Sequence, residues 1–250
     1  MNRRSRDGTR APAPLLGIAR RLARAVAQLE LRTPSHVYNP LQYAWSGQRT
    51  YLERYGRKRG RVLLVGMNPG PWGMAQTGVP FGSVAVVRDW FGIEPRLSRR
   101  LPAQHPRYPI LGMHCHRDEG SGKRLWGWAA QRFGTPERFF ERFFVWNYCP
   151  LLFLAHDRNL TPAGLSAVEL RALAPVCDRA LRDVIDVLQP VAVVGIGRYA
   201  EQRLRNLVGE RVPVGYLPHP SPASPAANRE WAAMAERALV PWLPARQSAD

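Results

Sequence analysis

Three side chains in this sequence combine types and placement suited to chemistry on a flat, uncharged ligand: Asn68, Asn147 and His219. Each stands at or just past the end of an apolar run, residues 61–65, 142–148 and 212–217 respectively. An amide offers a donor and an acceptor together, and a neutral imidazole can donate to an oxygen on which negative charge builds. Asn68 sits in the loop at residues 66–82, GMNPGPWGMAQTGVPFG, which carries five glycines and three prolines and no charged residue. Glycines let a ligand approach the backbone and prolines stiffen the path, so the loop reads as a preformed cradle. Its other offerings are the neutral side chains of Gln76 and Thr77 and the flat ring of Phe81. A phosphate loop would end in Gly-Lys-Ser/Thr, so a planar ligand with polar edges, such as a nucleobase, fits better.

Four strings carry a family resemblance: residues 66–82; HPSPASPAANREW at 219–231; Ser121-Gly122-x-Arg124-x-Trp126-Gly127; and Asn147-x-Cys149-Pro150-Leu151. Together they resemble the single-strand-selective monofunctional uracil-DNA glycosylases, a branch of the uracil-DNA glycosylase superfamily, over about residues 37–242. The resemblance implies an α/β fold and excision of uracil from DNA, leaving an abasic site in base-excision repair. It implies that Asn68 positions a water and that His219 donates to uracil O2. Phe81 stacks on the base, and Asn147 donates to O4 while accepting from N3–H, a pattern cytosine does not match. The backbone of Met67 and Gly70 contacts the base, with a water near Gly70 helping to exclude thymine. Some 5-substituted uracils, 5-hydroxymethyluracil among them, are expected substrates. Pro220, Ser221 and Pro222 press on the DNA where the base leaves, followed by a short helix from about Pro225. Two departures from the family pattern stand out. Ala223 occupies a place where arginine is usual and Trp72 replaces a phenylalanine, which leaves the preference between single and double strands open.

Taken without the resemblance, Phe81 also reads as a core phenylalanine and Asn147 as an asparagine closing a turn. Two rival functions stay on the page: a related glycosylase for deaminated purines, hypoxanthine or xanthine, and a non-catalytic sensor of damaged bases. The presence of both Asn68 and His219 speaks against the sensor, because binding alone needs no water-holding group.

The 250 residues carry a formal charge of +17, from 36 basic and 19 acidic residues. Lys58 and Lys123 are the only lysines, so 36 − 2 = 34 are arginines. An excess of this sign attracts a polyanion, and nucleic acid is the first expectation. Neither lysine is placed to form a Schiff base with a sugar, which implies a monofunctional enzyme. Three dispersed cysteines support neither a disulfide framework nor a four-thiolate cluster, and indicate a reducing compartment. No cofactor is expected, no metal, no membrane span and no partner beyond uracil-containing DNA, single- or double-stranded. The chain is expected to be a monomer, cytoplasmic and nucleoid-associated in a bacterium or nuclear in a eukaryote.

The elements that must position these residues follow from periodicity. Residues 1–13 form a basic tail, read as disordered, that fits a transit peptide, a DNA tether or a segment without a role. Residues 14–250 are taken as one catalytic domain. Apolar positions Leu15, Ile18, Leu22, Val26 and Leu29 predict an amphipathic helix, residues 42–55 a second, 83–90 a third, and 165–188 a long one broken or kinked at Pro175. Strands are predicted at 61–65, 142–148, 191–194 and 212–217, with 94–124 a long surface excursion. Strands alternating with helices give a doubly wound sheet of about four mostly parallel strands. Within the excursion, His114-Cys115-His116 lacks the further ligands a structural zinc needs. Gly195-Ile196-Gly197 imitates a dinucleotide fingerprint, but the next strand ends at His219 with no acidic residue for a ribose, so close helix packing explains it better.

Overall fold

The structure is a computed structural model and describes residues 14–221 and 227–243. The basic tail, Pro222, Ala223 and Pro225 lie outside the described residues. In chain order the elements are α1 (Pro14–Val26), β1 (His36–Tyr38), α2 (Pro40–Tyr43), α3 (Trp45–Tyr55), β2 (Val62–Gly66) and α4 (Met74–Thr77). Next come α5 (Gly120–Phe133), α6 (Pro136–Phe140), β3 (Phe143–Asn147), β4 (Leu152–Ala155) and β5 (Arg158–Leu160). The chain continues through α7 (Ala167–Leu188), β6 (Ala192–Ile196), α8 (Arg198–Val208), β7 (Val214–Leu217) and α9 (Ala227–Leu239).

Four strands form one parallel sheet in the order β3-β2-β6-β7. Every residue of β2, β3 and β6 is buried, as continuous apolar runs covered on both faces must be. Register sets the functional edge: Gly66 pairs with Asn147, Val65 with Gly195, and Ile196 with Leu217, so the strands end level. The chain leaves β2 for β3 on one side and later returns across β2 to β6 on the other. This reversal opens a crevice beyond the carboxyl ends of β2 and β6.

The helices form for legible reasons. In α1, Leu15, Ile18, Leu22 and Val26 are buried on one face, and the helix ends at Val26 rather than reaching Leu29. A reciprocal cap starts α7: the Ser166 hydroxyl accepts from the Glu169 amide while the Glu169 carboxylate accepts from the Ser166 amide. That helix then runs 22 residues straight through Pro175. Pro175 and Arg171, the residue whose carbonyl it deprives of a partner, are both exposed, so water can serve that carbonyl and the predicted break is not needed. The helix expected over 42–55 is split at Ala44, whose carbonyl lies where a side chain at Gly78 would stand, 2.3 Å from its Cβ. The helix expected over 83–90 ends in a wider π turn, Val86–Trp90.

Two features differ from the sequence reading. A second, antiparallel sheet, β1-β4-β5, was not expected; its strands are three or four residues long, too short for an alternation to register. The segment 94–124 is not a surface excursion throughout. His105, Ile110, Gly112 and Cys115 are buried within it, and from Gly120 it is helix. What pulls it inward is Gln76. The Gln76 amide nitrogen donates to Pro71 O (2.8 Å) and Pro109 O (3.0 Å), and its oxygen accepts from Leu111 N (2.7 Å) and Gly112 N (3.0 Å).

Candidate active site

The floor of the site is Gly66, the last residue of β2. A Cβ added there would stand 2.4 Å from Asn147 Oδ1 and 2.6 Å from the Phe81 ring, so glycine alone leaves both side chains their room. Phe81 reaches this point through a backbone with φ +55°, in the left-handed region that a phenylalanine adopts only at a cost of order 1–3 kcal/mol. The turn is pinned on both sides. Thr77 Oγ1 donates to Gly82 O (2.7 Å), and the Trp126 indole donates to Pro80 O (3.3 Å).

Asn147 is 5% exposed, yet its only described hydrogen-bond partner is the Met74 sulfur, 3.2 Å from Nδ2, and Oδ1 has none. A thioether is a weak acceptor, so a buried amide is left with a donor and an acceptor largely unmet. That condition costs about 1–3 kcal/mol per group unless a ligand supplies the partners. Asn68 is part-exposed and donates from Nδ2 to Leu151 O at 3.1 Å. With the nitrogen engaged, its oxygen is turned to accept, which suits it to hold a water.

His219 follows β7 after a single proline. Its Nδ1 accepts from the Ser221 backbone N–H at 3.1 Å, so in the neutral ring the proton resides on Nε2. Burial lowers its pKa below the ordinary 6.5, which keeps the ring neutral at physiological pH. The ring lies 6.3 Å from Phe81, centroid to centroid, at a 46° tilt, and its other side rests on Gly197, where an added Cβ would come 3.4 Å from the His219 Cβ. Gly197 has φ +89°, and a Cβ on Gly195 would strike Glu201 N at 2.2 Å, so these glycines serve close packing of α8.

The structure therefore sets Asn147 and Phe81 together at Gly66 and His219 beside Phe81, with Asn68 on the same sheet edge. Met67 and Gly70 are part-exposed, leaving backbone within reach of a ligand there. Pro220 is buried and Ser221 half-buried, beside His219. Gln76 and Thr77, offered by the sequence as ligand-binding groups, are not available: both are buried and spent on the loop and the 94–124 segment. Exposed His114 and His116 flank a buried Cys115 and do not converge, and among the described residues no group of three His, Cys, Asp or Glu side chains is placed to hold a metal.

Sequence reasoning did not foresee the work of α5. Gly122 backs onto Phe81, whose carbonyl would be 1.9 Å from an added Cβ. Trp126 ties down Pro80, and Arg124 Nη1 donates to Pro220 O at 3.1 Å. One helix thus fixes the Phe81 loop to the His219 loop. From the other side the Trp231 indole on α9 donates to Pro218 O at 2.8 Å.

Comparison with known proteins places the chain in a family. The profile of the uracil DNA glycosylase superfamily matches residues 53–239. A Bos taurus protein named single-strand selective monofunctional uracil DNA glycosylase is 50% identical over 207 residues, 81% of this chain and 76% of its own. The protein of the same name from Mus musculus is 48% identical over 225 residues, 88% of this chain and 80% of its own. Among solved structures, wild-type Pedobacter heparinus SMUG2 superposes with a TM-score of 0.61 at 17% identity, covering 90% of this chain and 97% of the other, a likeness of fold. On the extent of these matches, the chain belongs to the single-strand selective monofunctional branch of the uracil DNA glycosylase superfamily.

Proposed function

We propose that this protein is a monofunctional DNA glycosylase that extrudes uracil from DNA and hydrolyses its bond to deoxyribose. The observation that carries the reading is the buried Asn147 amide with almost nothing to bond, set beside a strained Phe81 and a neutral His219. An extruded uracil stacked on Phe81 gains about 1–3 kcal/mol. Its N3–H then faces Asn147 Oδ1 and its O4 faces Nδ2, so the orphaned groups are satisfied by this base and not by cytosine.

As the C1′–N1 bond lengthens, its electron pair passes to the base and charge collects on O2 and O4. His219 Nε2–H donates to O2, stabilising the anion without transferring a proton. The sugar becomes oxocarbenium-like, and a water held by Asn68 Oδ1 adds to C1′, releasing its proton to solvent. Asparagine is no base, which suffices because the carbon under attack is already cationic. Lys123 is paired with Asp118 at 3.4 Å, and the reaction proceeds without a covalent imine. The products are free uracil and an abasic site.

The positive charge of the chain and the Pro220–Ser221 edge beside His219 support DNA as the macromolecular substrate, engaged by a monomer. Purified protein is expected to release uracil from a uracil-containing oligonucleotide, with release lost in His219→Ala; no release from single- or double-stranded substrate sinks the reading. The rate ratio on those two substrates measures whether the strand selectivity in the relatives' names extends to this chain.

A further inference from the structure

Where the start of α5 meets the Gly70–Gly73 stretch of the loop lies a carboxyl group that the reaction above does not use. Glu119 caps the start of α5 with an extended backbone, and its carbonyl accepts from Lys123 N at 2.9 Å. The residue as a whole is part-exposed, whereas Oε2 is fully enclosed and has no hydrogen-bond partner among the described residues. Its surroundings are three glycines. A Cβ added at Gly73 would lie 1.8 Å from Oε2, one at Gly70 3.0 Å from Oε1, and one at Gly122 3.4 Å from Oε2. Gly122 is also the residue that backs onto the Phe81 carbonyl. The two loop glycines and the helix glycine together make a slot that the carboxyl group fills, and a side chain at Gly73 would evict it.

We propose that Glu119 is a positioning residue for uracil excision: its carboxyl group, filling the slot between Gly70, Gly73 and Gly122, holds the Gly70–Gly73 wall against α5 and the Phe81 turn, and so fixes the width of the base site. The inference rests on the glycosylase reading. Among the described residues no counter-charge offsets an ionised Glu119. The loop at residues 67–82 has no titratable side chain, and on its own element Lys123 is engaged by Asp118, Arg124 by Pro220 O, and Arg117 by the Trp72 ring at 4.6 Å. His116 is exposed, and His219 lies beyond Phe81 with its Nδ1 committed to Ser221. Burial alone accordingly raises the carboxyl to about 7. Above that pH the ionised group calls for water at the enclosed Oε2, where the close approach of Gly73 and Gly122 leaves room only if Gly70–Gly73 moves outward.

The test compares wild type with Glu119→Gln, a neutral group of the same shape, across pH 5.5 to 9. For wild type the KM for a uracil oligonucleotide is expected to climb above about pH 7, by up to about tenfold per pH unit, with kcat little changed. Glu119→Gln is expected to hold its KM flat over the same range. Coincident pH profiles for the two proteins overturn the role. Carbon-13 NMR of glutamate-labelled protein reads the carboxyl independently of turnover; a resonance assigned to Glu119 that titrates near pH 4.5 overturns it as well. Uracil release by wild type with a flat KM removes the role alone, whereas no release at any pH removes the proposed function and this role together.

Discussion

The two halves of the site are held very differently. The wall formed by residues 66–82 is secured along its length: Gln76 makes four hydrogen bonds, Thr77 closes the turn, the Tyr43 hydroxyl donates to Ala75 O at 2.6 Å, and Trp126 holds Pro80. Among the described residues the short loop bearing His219 is tied by side chains from separate helices, Arg124 on Pro220 O and Trp231 on Pro218 O, as well as by its own Ser221 amide. A rigid wall suits recognition, where a displacement of a fraction of an ångström admits the wrong base. A loop tied from separate helices can meet a bulky nucleic acid and then settle, since interactions made only at the transition state raise kcat. The comparison assigns changes on the wall to KM and specificity, and changes on the hanging loop to kcat.

The largest expected effect is at Asn147, which ends β3 beside Gly66 at the foot of that wall. A site that hydrogen-bonds its substrate rejects a mismatched analogue by about 10⁴-fold, so wild type is expected to ignore cytosine. Asn147→Ala is expected to lose most of that ratio by losing activity on uracil, and competition between uracil and cytosine oligonucleotides measures it. Retained discrimination would move recognition elsewhere. His219→Ala comes next, with kcat falling about 10²–10³-fold and KM nearly unchanged, because one donor to a developing anion is removed. The pH profile sharpens this. His219 titrates below the ordinary 6.5, so kcat is expected to hold at neutral pH and fall only as acid protonates Nδ1 and breaks its bond from Ser221.

Much of this division was legible in the chain and some was not, for physical reasons. The parallel sheet could be read because β2, β3 and β6 are buried runs bounded by turns, and the carboxyl ends of such strands deliver Asn68, Asn147 and His219 to one edge whatever the family. The antiparallel sheet could not, since strands as short as His36–Tyr38 leave no period to read. Glu119 was equally hidden: the second of two adjacent acidic letters in a polar stretch, its meaning created by Gly122 on its own helix and by the distant Gly70 and Gly73. Gln76 erred in the other direction. A polar side chain in a glycine-rich loop looks like a ligand group until the segment that it clamps is seen.

Glu119 tests the wall's rigidity through stability. Its carboxyl is at about 7 in the folded chain against an ordinary 4.5, so folding disfavours the ionised form. The penalty is absent below pH 4.5, grows as the pH rises and is complete above 7, where it reaches about 3 kcal/mol at most. Glu119→Gln is therefore expected to resist urea better than wild type at pH 8 and to match it at pH 4.5. Equal unfolding midpoints at both pH values would mean that the wall accommodates the charge and is less rigid than its hydrogen bonds imply.

The smallest effect, and the most discriminating, belongs to Arg124, which joins the two halves. Arg124→Ala removes a charged donor from Pro220 O, a contact worth about 1.5–3 kcal/mol where it is buried and less here, where it is partly solvated. The Trp231 anchor remains, so the His219 loop is loosened but not released. A fall in kcat of about tenfold is expected, a loss of about 1.4 kcal/mol in transition-state stabilisation. Discrimination against cytosine should be untouched, because Gly122 and Trp126 still hold the Phe81 turn from the same helix. If specificity and kcat fell together, the two halves would be one mechanical unit, and the separation of recognition from leaving-group stabilisation would have to be abandoned.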